Sequence, residues 1–211
     1  MTLETPLRAR QTQAGRRART RSALLESAAR GLSRDGYGNL VLEKVARDAG
    51  YTRGALYHQF ANKEDLALAV VAWVEENWWA EMGKVIADNS DPLQALIDVA
   101  RTHAVFCRRD IARVHMVLSI EFSGQDHPVG RAIDESSRLV IAECARLITA
   151  GRKSGTIPSG PPPKVVASAL MGAVEGLVIN LAGQAPFDEE LAGSVVAGVL
   201  GLQSAHKRRD R

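Results

Sequence analysis

Aromatic residues are scarce in this sequence, at 5% of its 211 positions, and clusters of the β-branched residues that form strands are few. Residues that favour helices, namely Ala, Leu, Glu and Arg, dominate instead. Hydrophobic residues make up 45% and charged residues 24%, which excludes a wholly disordered chain. The composition therefore predicts an all-α protein with one domain or two small ones.

Cysteine is also scarce. The two cysteines, Cys107 and Cys144, cannot build a disulfide framework, which indicates a reducing compartment. No apolar segment follows the basic N-terminus, so we predict no secretory signal and a cytoplasmic location. Whether the two thiols form a redox pair or are two small buried side chains stays open at this point.

Motifs of enzymes and metal sites are missing as well. The chain has no nucleophile elbow, phosphate-binding loop or dinucleotide fingerprint. His103 and Cys107 lie four positions apart and share a helix face, but no other pair of metal-binding residues has a matching spacing. We therefore predict no enzymatic activity, no catalytic residue, no cofactor and no metal.

Charge is distributed unevenly along the chain, whose formal net charge is +3. Residues 1–65 carry 12 Lys and Arg against seven Asp and Glu, residues 205–211 carry four against one, and the residues between them are acidic. Basic ends indicate a polyanionic partner, although solvated tails would give the same pattern. The first 21 residues hold six Arg against Glu4 alone, which predicts a basic flexible arm over residues 1–18 and a basic tail over 205–211.

Apolar residues recur at helical spacing along the rest of the chain, and we find no internal repeat. Residues 165–182 are as apolar as a short membrane span, but Glu175 and Asn180 interrupt them, so we predict a helix buried in protein. The predicted helices span residues 19–35, 42–49, 53–59, 63–86, 92–108, 111–122, 129–153, 163–182 and 188–203.

The second and third predicted helices have the outline of a helix-turn-helix motif. The turn reads Ala49-Gly50-Tyr51-Thr52, in which Gly50 permits the tight bend and Thr52 caps the third helix. Residues 21–66 closely resemble the DNA-binding domain of the TetR family of transcriptional regulators. The residues that carry this resemblance are Ala28-Ala29, Gly36-Tyr37, Val45-Ala46, Ala49-Gly50, Thr52, Gly54, Leu56-Tyr57, Phe60, Lys63 and Leu66.

The resemblance implies a DNA-binding domain over residues 19–66, with its helix-turn-helix motif at about 41–60. Its third helix would enter the major groove, where Arg53 is long enough for two hydrogen bonds to one guanine. Leu56 and Phe60 are expected to hold this helix in the core. The predicted DNA-binding residues are Tyr51, Thr52, Arg53, Gly54, Tyr57, His58 and Lys63, with Arg16, Arg17 and Arg19 of the arm in the adjacent minor groove.

Three features depart from the pattern of the family. Leu40-Val41 stands where a Thr-Thr pair is usual, which removes a hydroxyl cap from the second helix that Asn39 could replace. Gly31 stands where a helix former is usual and costs about 1 kcal/mol relative to Ala. Tyr51 replaces a small aliphatic residue, so it either packs inward or reaches the DNA.

The resemblance also implies that residues 67–204 form a helical domain for effector binding and dimerisation. Gly172 and Gly176 lie on one face of their helix, and small residues recur on the last helix, so we predict a homodimer through these two helices. Glu175 in such an apolar helix pairs either with an Arg across the dimer or with a cationic ligand. The predicted ligand-binding residues are Trp73, His103, Phe106, His115, Met116, Phe122, Met171 and Glu175.

Together these features predict an all-α regulator with an N-terminal three-helix DNA-binding domain and a C-terminal helical ligand-binding and dimerisation domain. We expect a cytoplasmic homodimeric repressor that a small apolar effector releases from a palindromic double-stranded DNA operator. Two alternatives are a DNA-binding regulator without a small-molecule effector and a helical small-molecule carrier or enzyme.

Overall fold

The computed structural model describes residues 13–202, and over this range the chain forms nine α-helices, one short 3-10 helix and no strand. The predicted all-α class is confirmed. The 3-10 helix, Asp110–Arg113, directly precedes α6. The α-helices are α1 Gln13–Asp35, α2 Leu42–Asp48, α3 Arg53–Gln59, α4 Lys63–Asp88, α5 Pro92–Phe106, α6 Val114–Glu121, α7 Pro128–Ser154, α8 Pro163–Leu181 and α9 Phe187–Val199.

Helices α1 to α3 pack around a small core that continues into the first turns of α4. Leu56 and Phe60 are buried in it, as predicted. The Ser27 hydroxyl on α1 donates a hydrogen bond of 2.9 Å to the carbonyl of Val45, which ties α1 to α2. Gly31 allows this close packing, because a Cβ atom at that position would lie 2.7 Å from the Leu40 side chain.

Side chains cap four of the described helices. Thr52 does so as the sequence predicts, and at α7 the His127 side chain accepts a hydrogen bond from the amide of Val129. The Thr52 hydroxyl accepts a hydrogen bond from the amide of Ala55 at the start of α3. Asn62 accepts one at the start of α4, and Asp91 accepts one at the start of α5. These bonds satisfy amide groups that have no partner within their own helix, and so they fix where each helix begins.

The N-terminal boundary differs from the prediction. Helix α1 begins at Gln13, so the predicted flexible arm is wrong for residues 13–18, while residues 1–12 lie outside the described part of the chain. Arg and Ala are good helix formers, and they extend the helix without needing apolar contacts. The tail at 205–211 also lies outside the described residues.

Helices α4 to α9 form the body of the protein. Helix α9 packs mainly on α5 and α8, and α8 also packs on α7. Arg108 joins the end of α5 to the start of α9, with its Nε 2.9 Å and its Nη2 2.7 Å from the two carboxylate oxygens of Asp188. Asp188 is fully buried, and the hydrogen bond from Arg108 lowers the pKa of this carboxyl.

One surface of α8 and α9 has no partner within the described chain. Val165, Ile179, Phe187 and Leu191 are all between 45% and 60% exposed on these helices or at their ends. Helix α8 is long and apolar enough to span a membrane by length and composition alone, but in this fold it packs on α7 and α9. We call these four residues the α8–α9 apolar surface.

Candidate nucleic-acid interface and internal cavity

Helix α3 has one buried side and one exposed side. Leu56 is fully buried, and Thr52, Arg53, Gly54, Tyr57 and His58 are exposed. The structure therefore brings five of the seven residues predicted on the DNA-contacting face onto one accessible surface. A helix held from behind by its apolar residues is able to enter the major groove without losing contact with the core.

Arg53 is positioned by two neighbours on this surface. Its Nη1 lies 2.9 Å from Oε1 of Glu43 on α2, and its guanidinium carbon lies 5.2 Å from the centre of the Tyr57 ring. Both contacts hold a long and flexible side chain above the exposed side of α3. An arginine oriented in this way is suited to two parallel hydrogen bonds with a guanine edge.

Two of the predicted DNA-contacting side chains have partners inside the protein instead. Lys63 donates a hydrogen bond of 2.9 Å from Nζ to the carbonyl of Gly38, and it lies over the Tyr37 ring. Tyr51 is partly buried and packs against the core, so of its two predicted positions it takes the inward one rather than the one that reaches the DNA. Asn39 does not cap α2, since its amide donates to the carbonyl of Asp35 at the end of α1.

Arg16, Arg17 and Arg19 are exposed on the first turns of α1. They were predicted within a flexible arm, whereas they project from a regular helix in this structure. Their charge remains available to phosphates, but a helix is wider than an extended chain. Insertion of these three residues deep into a minor groove is therefore no longer favoured by their backbone conformation.

A cavity of about 330 Å³ lies inside the body, between α4, α5, α6, α7 and α8. Six of the eight predicted ligand-binding residues line it, namely His103, Phe106, His115, Met116, Met171 and Glu175. Trp73 and Phe122 do not. Trp78 faces the cavity in place of Trp73, and Phe122 instead packs against Tyr37 and His127 near the helix-turn-helix.

His103 is the centre of a polar cluster at the cavity wall. The indole Nε1 of Trp78 donates to its Nδ1 at 2.9 Å, and its Nε2 lies 3.2 Å from the Glu175 carboxylate and 3.4 Å from the Cys107 sulfur. Within the described chain this histidine is the partner of Glu175, while an Arg across a dimer and a cationic ligand both stay predictions. Burial opposes the charged form of His103, but hydrogen bonds to Cys107 and Glu175 outweigh burial and raise the pKa of His103 to about 10.

Burial favours the neutral forms of two further titratable groups of the cavity, His115 and Cys144. Burial lowers the pKa of His115, whose Nε2 is buried without a hydrogen-bond partner. Burial raises the pKa of Cys144 to about 11. Cys107 and Cys144 are both free thiols that line the cavity, and no group of three or more metal-binding side chains occurs among residues 13–202.

A carboxylate of the body holds the loop before α2, a contact that the sequence did not reveal. Glu121 ends α6 and accepts hydrogen bonds of 2.6 Å from the amides of both Tyr37 and Gly38. This arrangement, which we call the Glu121 clamp, joins the body to the helix-turn-helix. The available signal in the sequence was a carboxylate at the end of an apolar helix.

Fold and site together define a helix-turn-helix protein, in which the domain that contains α3 is attached to a helical body with a cavity. The family model described as bacterial regulatory proteins, tetR family, matches residues 24–70. Residues 24–70 therefore form a DNA-binding domain of the TetR-family type, which supports a transcriptional regulator of that family.

Two curated relatives extend the similarity into the body. The A-factor receptor protein of Streptomyces griseus is 30% identical over 165 residues, which span 77% of this chain and 55% of that protein. The chain thus matches little more than half the length of that receptor. The transcriptional repressor AcnR of Corynebacterium glutamicum is 28% identical over 167 residues, 77% of this chain and 82% of the repressor.

Solved structures share the fold. A TetR-family regulator from Agrobacterium tumefaciens superposes with a TM-score of 0.75 at 19% identity, covering 90% of this chain and 100% of that one. FadR from Bacillus subtilis, solved in complex with stearoyl-CoA, gives 0.73 at 19% identity, covering 87% and 99%. At this level of identity the comparison establishes the fold alone.

Proposed function

We propose that the protein is a homodimeric transcriptional repressor that binds a palindromic operator and is released from it by a small apolar effector. The observation that carries DNA binding is the exposed row on α3, in which Arg53 is held between Glu43 and Tyr57. The name of the curated relative AcnR, a transcriptional repressor, supports repression rather than activation. A cytoplasmic location follows from this function, because the operator lies on the bacterial chromosome.

Dimerisation is proposed through the α8–α9 apolar surface. Gly172, Gly176 and Gly198 have open space where a Cβ atom would lie, so a second pair of helices is able to approach these backbones closely. Gly193 does not belong to this surface, because it is buried against Arg101 of its own chain. Burial of the four exposed side chains would provide the hydrophobic part of a twofold interface.

The cavity is the proposed effector site. Its volume and its mainly apolar lining with a few polar groups suit a small organic ligand. The name of the A-factor receptor supports a diffusible small molecule as the signal. The cavity also disfavours the alternative of a regulator without an effector, because such a regulator does not require a ligand-sized cavity.

Selection of duplexes from a random pool tests DNA binding. Purified protein should enrich one palindrome, and Arg53→Ala should weaken binding to it by about 1–3 kcal/mol, the value of a good base contact. Arg138→Ala removes a similarly exposed arginine on α7 and serves as the matched control. Salt-sensitive binding without any enriched sequence would contradict the proposal and assign the affinity to basic residues in general.

Sedimentation tests the dimer separately. Ile179→Glu places a charge in the α8–α9 apolar surface and should give a monomer at micromolar concentration. Tyr57→Glu places the same charge on an exposed residue of α3 and should leave the dimer intact while abolishing operator binding. A dimer that survives Ile179→Glu would exclude this surface as the interface.

A further inference from the structure

Two neutral polar groups of the cavity are buried and have no hydrogen-bond partner among the described residues. They belong to His115 on α6 and Ser136 on α7, two helices that pack together and line the cavity. We propose that the effector is an uncharged apolar molecule with a hydroxyl group, and that His115 and Ser136 bind this hydroxyl. The inference rests on the effector role proposed for the cavity, and it is independent of DNA binding.

The His115 ring has one nitrogen left for a ligand. The ring donates a hydrogen bond to the backbone carbonyl of Val71, and its Nε2 is buried without a partner. Burial and the charge of the nearby His103 lower the pKa of His115, so the ring is neutral at pH 7. In a neutral ring that donates through one nitrogen, the other nitrogen is an acceptor. Leaving a buried acceptor unpaired is costly, and a ligand hydroxyl that donates to Nε2 removes that cost.

Ser136 adds a second polar group to the same part of the lining. The residue is only 5% exposed, and its hydroxyl makes no hydrogen bond within the described part of the chain. A serine hydroxyl both donates and accepts, and so does the hydroxyl of an alcohol. A ligand hydroxyl is therefore able to donate to His115 while it accepts from Ser136, which satisfies both buried groups.

A charged ligand finds no free counter-charge in the cavity. The Glu175 carboxylate lies 3.2 Å from Nε2 of His103. Burial opposes the cationic form of His103, but its contacts with Cys107 and Glu175 raise its pKa to about 10, so the ring is cationic at neutral pH. Glu175 therefore needs no cation from the ligand, and the pair offers no net positive charge to an anion. Glu75, the other acidic residue of the described lining, also faces an open groove outside the cavity and is accessible to water there.

Matched ligands test the inference on the full-length protein. We would compare a panel of aryl and alkyl skeletons, each as primary alcohol, methyl ether, amine and carboxylate, with 4-phenylbutanol and its three analogues as the first set. Calorimetry at neutral pH should show the best alcohol binding about three- to tenfold tighter than its ether, which accepts but does not donate, and the charged analogues binding more weakly still. A panel in which no alcohol binds more tightly than its ether, or in which a charged analogue binds most tightly, overturns the proposal.

Variants identify the residues responsible. His115→Phe keeps an aromatic ring but removes the acceptor, so the preference for the alcohol over the ether should disappear, whereas His115→Gln keeps an accepting oxygen and should retain part of it. Ser136→Ala should weaken the alcohol and the ether alike, by about threefold, because both accept from its hydroxyl. Ser154→Ala changes an exposed hydroxyl at the end of α7, outside the cavity, and should change nothing. A preference that persists in His115→Phe overturns the assignment, and if that variant proves unstable, unchanged binding in Ser136→Ala overturns it instead.

These results are distinguishable from a failure of the repressor proposal. Duplex selection uses ligand-free protein, so its outcome does not depend on the alcohol. An enriched palindrome without a preference for the alcohol overturns the present inference alone. A preference for the alcohol without an enriched palindrome supports this inference and overturns the repressor. An alcohol that binds with this preference but leaves operator affinity unchanged supports the inference and overturns the effector role of the cavity.

Discussion

The Glu121 clamp predicts a specific weakness in the attachment of the helix-turn-helix to the body. Glu121→Ala removes the acceptor of two amide hydrogen bonds, those of Tyr37 and Gly38. Each hydrogen bond to a charged group contributes about 1.5–3 kcal/mol. Because the loop at Gly38 is exposed, water replaces part of this, and we expect a total loss of about 1.5 kcal/mol.

Thermal unfolding and amide exchange measure the effect. For a chain of this size, a loss of about 1.5 kcal/mol lowers the unfolding midpoint by about 3–6 °C. Hydrogen exchange should accelerate at Tyr37 and Gly38, and Glu121→Gln should fall between wild type and Glu121→Ala because its amide oxygen still accepts. Glu135→Ala removes an exposed carboxylate of α7 and is the matched control.

The exchange data decide the prediction. A midpoint that falls without faster exchange in the loop would mean that Glu121 stabilises α6 rather than the attachment. Unchanged exchange together with an unchanged midpoint would refute the clamp altogether. We expect both a lower midpoint and faster exchange in the loop. The loop approaches Glu121 closely, since a Cβ atom at Gly36 would lie 2.8 Å from its Oε2.

Three further predictions concern buried groups of the body. Asp188→Ala should lower the free energy of unfolding in urea by about 3 kcal/mol, because Arg108 loses its buried partner. The Cys144 thiol, with its pKa raised to about 11, should react slowly with iodoacetamide at pH 8, and stability should fall as the pH rises from 9 towards 11 while the unfolded thiol ionises. Gly151→Ala should cost about 1–3 kcal/mol, since a Cβ atom there lies 2.5 Å from Ile157, and Ile157→Ala in the same chain should recover part of that loss.

Local signals account for what could be predicted from the sequence. Thr52, Asn62 and Asp91 act on amides within three positions of themselves, so their role as caps is readable without the fold. The family resemblance predicted which side of α3 is exposed. Gly31 shows the limit of such reasoning, because its helix penalty is visible in the sequence while the close contact with Leu40 that requires it is not.

The sequence predicted six of the residues that line the cavity, but it did not predict which tryptophan faces the cavity or which residue pairs with Glu175. Trp73 and Trp78 lie on the same helix, and the choice between them depends on how α4 is rotated against α5 and α7, which is a tertiary property. Glu175 was recognised as a costly carboxylate, but its partner His103 lies 72 positions earlier, on a different helix. Pairing between distant helices is decided by packing, which periodicity does not reveal.

Two helices connect the cavity to the same loop of the DNA-binding domain. Helix α4 lines the cavity with Trp78 and begins at Lys63, which binds the carbonyl of Gly38, while α6 lines it with His115 and ends at Glu121, which binds the amide of Gly38. A ligand that shifts either helix therefore acts on one peptide segment just before α2.

The binding energy of the effector limits how much it can weaken operator affinity. To weaken operator affinity tenfold, an effector must bind the released arrangement about 1.4 kcal/mol more tightly than the DNA-bound one, and DNA must weaken effector binding by the same factor. One hydrogen bond to a charged group contributes about this much. A single contact at Glu175 that differs between the two arrangements is thus sufficient, and measuring effector affinity with and without operator would reveal it.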